Sequence, residues 1–144
     1  MERNYLDILI LQLYLFKINI IFTKKNEPIK FLKMSDTIQF EDFAKIDLRV
    51  GTIIEVANFP EARKPAYQLT IDFGELGIKK TSAQITTLYK KEELLQKQIV
   101  AVVNFPKKQI ATFMSDCLVL GAVNGQDVVL LNPENKVKNG SPVS

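Results

Sequence analysis

Between Leu48 and Ala57 the chain alternates with a period of two. Leu48, Val50, Thr52, Ile54 and Val56 take turns with Arg49, Gly51, Ile53, Glu55 and Ala57. Ten residues of that pattern specify an extended strand, because a β-strand puts every second side chain on the same face. Gly51 is expected to mark a bend or bulge, the device by which a long strand curls toward a closed sheet. Such a strand needs partners, and the sequence that follows supplies them.

Asn58 to Pro65 reads as a loop, with Pro60 and Pro65 stopping the ladder. Tyr67, Leu69, Ile71 and Phe73 then alternate with Gln68, Thr70 and Asp72, a strand with one buried and one wet face. Gly74–Gly77 turns the chain into a third strand, Ile78 to Ile85. There Thr81, Ala83 and Ile85 suit the core, and Lys80, Ser82 and Gln84 line the other face. Lys90 to Lys97 has no glycine or proline and reads as a short helix. Ile99–Val103 is a strand buried on both faces, the loop Asn104–Lys108 follows, and Cys117–Leu120 is a fifth strand. Asn124-Gly125 signals a hairpin turn that returns Val128–Leu131 beside it. Phe40–Ala44 forms a helical turn ahead of the first strand.

A parallel sheet would need helices of about ten or more residues between strands, and one short helix is all that is on offer. Three antiparallel strands, a helix and two more strands match an all-β, five-stranded Greek-key barrel of the OB type, here with a C-terminal hairpin arm. One domain, residues 34–144, accounts for the whole pattern. Residues 1–33 read differently: Ile8 to Phe22 is nearly all Leu, Ile, Phe and Tyr, broken by Gln12, Lys17 and Asn19. The run is short for a membrane span and lacks a signal-peptide start and cleavage site, so no membrane association is expected. With Met34 as an alternative start, these residues are expected to be an extension outside the fold, arising from the choice of start site or dispensable.

Chemistry is constrained by what is missing. The chain has no histidine and one cysteine, Cys117, which excludes an intrachain disulfide, the usual Cys/His zinc clusters and the common Ser–His and Cys–His dyads. No Walker or dinucleotide glycine loop is present. Neither cofactor nor metal is expected, catalysis is not expected, and the expected compartment is the cytoplasm.

Binding features are more telling. The formal charge is +3, but within 34–144 thirteen Lys and Arg balance thirteen Asp and Glu, so affinity for a polyanion has to come from a local patch. Arg63-Lys64, Lys79-Lys80, Lys90-Lys91 and Lys107-Lys108 are candidate sources. Arg63-Lys64 follows the first strand and Lys107-Lys108 joins strands four and five. In an OB barrel those two loops and the face of strands two and three form the oligonucleotide site. Lys80, Ser82 and Gln84 would share that face, with Asn104 and Ser115 as neutral hydrogen-bonding groups at its edge. Phe59, Phe105 and Phe113, in or beside the loops, are candidates to stack unpaired bases or to line an apolar cleft for polypeptide.

The segments Ile46-Asp47-Leu48-Arg49-Val50-Gly51, Pro60-Glu61-Ala62-Arg63-Lys64-Pro65-Ala66-Tyr67, Ser82-Ala83-Gln84-Ile85-Thr86, Val102-Val103-Asn104-Phe105-Pro106 and Ser115-Asp116-Cys117-Leu118-Val119-Leu120-Gly121 resemble the tRNA-binding domain family, in particular its CsaA-type subgroup of protein-secretion chaperones. The likeness runs from Ile38 to Val143. It implies an OB-fold homodimer with the N-terminal helix and C-terminal arm at the subunit contact, tRNA as partner, and unfolded or export-bound polypeptides as a second class of partner. Arg49, Asn104, Lys107, Lys108 and Ser115 match positions of the family's RNA-facing motif. The chain departs from the wider pattern in carrying Ile110–Met114 where an Arg-Gly is common, and Ser115-Asp116-Cys117-Leu118 in place of Ser-Glu-Gly-Met.

Overall fold

A computed structural model of the chain describes residues 36–144; the expectations for residues 1–33 lie outside the described residues. A compact unit spans Ile38–Ser144. It opens with α1 (Phe40–Phe43), then β1 (Leu48–Asn58), β2 (Tyr67–Asp72), a 3-10 turn at Gly74–Leu76 and β3 (Ile78–Ala83). After α2 (Lys91–Leu94) come β4 (Gln98–Val102), β5 (Lys108–Ile110), β6 (Phe113–Ser115), β7 (Leu118–Val119), β8 (Gly121–Asn124) and β9 (Asp127–Leu130).

Five strands form one antiparallel sheet in the order β3-β2-β1-β4-β7. Its two edges meet through the stretch between β6 and β7. The Asp116 N–H donates to the Lys80 carbonyl at 2.9 Å, and the Asp116 carboxylate accepts from the Lys80 N–H at 2.6 Å. The Ser115 hydroxyl lies 3.2 Å from that of Thr81. The result is the expected OB-type barrel, nearly closed, with α2 between the third and fourth strands. Among the described residues no helix is long and apolar enough to cross a membrane.

Leu69, Ile71 and Phe73 of the β2 segment, Ile85, Ile99, Ala101 and Cys117 fill the barrel, with Leu94 of α2 and Leu130 of β9 completing the core. Removing each large side chain from water contributes on the order of 1.5–3 kcal/mol, which fixes the strand faces. α2 is shorter than Lys90–Lys97: Leu95 returns to extended backbone and Gln96 has a positive φ of 66°. Gln96 and Lys97 instead bond to Ile53, as donor and carbonyl acceptor respectively.

β1 divides its faces differently from the simple alternation. Ile53 is fully buried and Ile54 is exposed, because the β1–β2 register skips a residue between Ile53 and Glu55. The bulge therefore lies at Ile54 and not at Gly51. Gly51 faces the core, where a Cβ would stand 2.6 Å from the Phe73 ring and 2.7 Å from Ile71. Val50 and Thr52, on the other face, are buried too, and the C-terminal segment runs alongside them. Val50 exchanges backbone hydrogen bonds with Gly140 and Ser141, and the Thr52 hydroxyl bonds the Asn139 side chain at 2.7 Å. This segment fills the side of β1 that β2, pairing only from Thr52 onward, leaves open.

The expected β8–β9 hairpin forms, but its two turn residues are Gly125 and Gln126, with Asn124 paired to Asp127 as the last residue of β8 and Gly125 at a φ of +63°. A second hairpin, β5–β6, occupies residues 108–115, where the sequence marks no element beyond the loop ending at Lys108, and Lys108 is its first strand residue. Its turn carries Ala111 at a φ of 51°, a position more often held by glycine or asparagine, so no turn signal marks it.

Candidate nucleic-acid interface

Two clefts adjoin on one side of the barrel, sharing Ser82 and Ile110. The first, of about 500 Å³, lies under the β4–β5 loop, with Phe105, Pro106, Lys107, Lys108, Ile110 and Leu118 around it and Cys117 at its floor. The second, of about 570 Å³, is bounded by Glu61, Arg63, Lys64, Gln84 and Ala111. The loop after β1 and the loop after β4 thus both come to β3 at Ser82. The barrel brings together Arg63, Lys64, Ser82, Gln84, Lys107 and Lys108, which are 45 positions apart at the extremes of Arg63 and Lys108. Lys80 shares the Ser82 face of β3 by the two-residue period, one step further along and outside the cleft linings.

The clefts carry an excess of positive charge, four cations against one carboxylate. Among the described residues the ion pairs are Lys45–Asp42, Arg49–Asp47 and Lys138–Glu75, and none draws on the cleft cations. One carboxylate, Glu61, stands at the second cleft. Asp116, a charge the sequence adds next to Ser115, is occupied with the Lys80 backbone at the barrel seam.

Other candidate residues stand elsewhere or are engaged in the fold. Arg49 bonds the Asp47 carboxylate and donates to the Gly140 carbonyl at 3.1 Å, which ties β1 to the C-terminal segment. Asn104 donates from its amide to the Lys45 carbonyl at 2.7 Å and accepts the Asp47 N–H at 3.0 Å. Ser115 is buried, its hydroxyl shared between Thr81 and the Cys117 carbonyl. Of the three phenylalanines, Phe59 is 3% exposed and its ring packs against Phe113, centroids 5.6 Å apart; Phe105 is 52% exposed. Ile110 and Leu118, which the sequence reading passed over, line the first cleft because the unseen β5–β6 hairpin folds over it.

Burial, reinforced by the neighbouring Asp116 and only partly opposed by Lys79, pushes the Cys117 thiol up to about 12, so it takes no part as a nucleophile at neutral pH.

A barrel closed in this order and bearing these clefts agrees with the match of residues 48–142 to the family described as "Putative tRNA binding domain". The chain belongs to the tRNA-binding domain family. Among relatives of this tRNA-binding domain, methionine–tRNA ligase of Pyrococcus horikoshii is 40% identical over 119 residues, 83% of this chain and 16% of the ligase. That of Campylobacter jejuni is 35% identical over 120 residues, 83% of this chain and 18% of the ligase. The chain thus spans less than a fifth of the ligases it matches. The crystal structure of chaperone CsaA from Bacillus anthracis is similar with a TM-score of 0.73 and 54% identity, covering 76% of this chain and all of that one. CsaA of Picrophilus torridus gives 0.71 and 54%, covering 75% and 100%.

Proposed function

We propose that this tRNA-binding domain acts without catalysis of its own, in the cytoplasm and as a homodimer, holding tRNA or RNA of similar structure across the two adjoining clefts. The observation that carries this reading is the convergence of Arg63, Lys64, Lys107 and Lys108 on one side of a barrel whose total charge is balanced. Cations without carboxylate partners release condensed counterions when they meet phosphates, so a neutral protein still gains affinity for a polyanion. Ser82 and Gln84, between the cations, are suited to sugar hydroxyls and base edges. A dimer is supported by apolar side chains left uncovered on α1 and on the β8–β9 arm: Phe40 and Val123 are each 75% exposed. Two copies would double the phosphate contacts available to a single RNA.

The test is an electrophoretic shift with total tRNA across a salt series. Affinity is expected to fall steeply with salt, and Lys107→Ala with Lys108→Ala to weaken binding and flatten the slope. Binding indifferent to salt, or absent, defeats the proposal.

A second reading, capture of unfolded polypeptide, is favoured by the CsaA chaperones at 54% identity and by the apolar side chains Phe105, Ile110 and Leu118 in the first cleft. It expects suppressed aggregation of a denatured client, unchanged by the lysine substitutions.

A further inference from the structure

Resting on the RNA reading above, we infer that the cleft under the β4–β5 loop is a pocket for one unpaired nucleobase, stacked on Phe105 with its flanking phosphates on Lys107 and Lys108. Aromatic rings elsewhere in the described residues are packed in the fold or, on α1, stand outside the cleft. Phe73 is in the core, and Phe59 and Phe113 pack on one another. Tyr67 donates to the Tyr89 carbonyl, and Tyr89 accepts the Leu130 N–H under the Lys97 ammonium. Phe40 and Phe43 lie against each other on α1, centroids 6.4 Å apart. Phe105 alone among them pairs a half-exposed ring with adjacent cations.

Its backbone suits the task. Pro106 disfavours helical backbone for the residue before it and fixes its own φ, so the ring is held at the cleft lip by a stiff link. Asn104, immediately before, is anchored by both ends of its amide. Ile110 and Leu118 add apolar lining to the same cleft, and Ser82 sits where the two clefts meet. About 500 Å³ is the size of an ordinary small-ligand pocket.

The pattern of apolar slot flanked by free cations is the repeat of a nucleic-acid strand, base then phosphate. A hydrophobic polypeptide would use the slot but has no use for the paired cations Lys107 and Lys108 beside it. A base within a duplex is stacked on its neighbours and cannot enter, so the pocket selects a loop, bulge or end.

The experiment compares wild type with Phe105→Leu, Phe105→Trp and the Lys107→Ala/Lys108→Ala pair. Fluorescence anisotropy would read binding to an unstructured oligoribonucleotide and to a blunt RNA duplex of equal phosphate number. Leucine keeps the apolar volume and loses the π-face, and tryptophan keeps both. Phe105→Leu is expected to weaken single-strand binding about tenfold, to leave the duplex unchanged, and to be reversed by tryptophan. Thermal midpoints equal to wild type would show that all variants fold. If Phe105→Leu matches wild type on both RNAs while the lysine pair weakens both, the base pocket is wrong and the RNA reading stands. If neither RNA binds at low salt, both fall. If leucine serves as well as phenylalanine and an extended apolar peptide competes for the cleft, the occupant is polypeptide and the inference is overturned.

Discussion

Asp116 and Lys80 close the barrel on each other: the Asp116 N–H donates to the Lys80 carbonyl, and the Asp116 carboxylate takes the Lys80 N–H in return. β3 is an edge strand, and here its outward N–H is capped by a side chain instead of a paired strand. The Lys80 ammonium is left out of the exchange and exposed on the Ser82 face. The Asp116 carboxylate, part of a departure from the family pattern, is thus a structural cap.

Asp116→Ala is therefore expected to lower stability by about 1–2 kcal/mol, as loss of a carboxylate cap on a backbone N–H does elsewhere. Asp116→Asn, which keeps an acceptor oxygen, should lose less than half of that. Urea denaturation of the two variants would decide, and equal stability of Asp116→Ala with wild type would contradict the seam.

Asn104 is expected to act on the fold and not by touching RNA. Its amide holds the Lys45 carbonyl and the Asp47 N–H, so Asn104→Ala should cost about 1–3 kcal/mol in thermal or chemical unfolding. At a temperature well below unfolding, the salt slope of RNA binding should stay as in wild type. A flattened slope would mean that Asn104 contacts the nucleic acid.

Gly51→Ala is expected to destabilise by about 1–3 kcal/mol, because a Cβ would meet the Phe73 ring at 2.6 Å inside a filled core. Calorimetry on this variant beside Gly77→Ala separates two causes. Gly77 has open space around it and a φ of +80°, so only backbone strain acts there.

Cys117 is expected to resist alkylation by iodoacetamide in the folded protein at pH 8 and to react once the chain unfolds. Its thiol is pushed from 9.0 to about 12, mainly by burial. The sign follows: below 9.0 the thiol is neutral in both states and the stability is intact. Between 9.0 and about 12 the unfolded thiol ionises while the folded one does not, so stability falls as pH rises. Cys117→Ala should remove that part of the alkaline loss, read from urea midpoints at pH 8 and pH 10.5.

The candidate site was legible in part, and the boundary has a physical form. Arg63, Lys64, Lys107 and Lys108 could be placed because an OB barrel dictates which loops converge, and loop charges have nowhere to be but the surface. Ser115 and Asn104 could not be sorted from them. Both are polar residues at plausible positions, and their partners lie 34 and 57 residues away in sequence. Phe59 and Phe105 are likewise the same residue type in similar Pro-flanked loops, yet one is buried against Phe113 and the other open.

What the sequence determined by itself was the order of the five barrel strands, the hairpin turn at Gly125, and the inward set Leu69, Ile71 and Phe73, because local periodicity and turn chemistry act between near neighbours. Which face of β1 entered the core was decided only by the tertiary structure. The bulge at Ile54 shifts the phase midway, and residues 139–141 bond to β1 at Val50 and Thr52, both buried on the other face. Both faces of the strand then carry buried residues, and alternation alone cannot say which cover lies on which side.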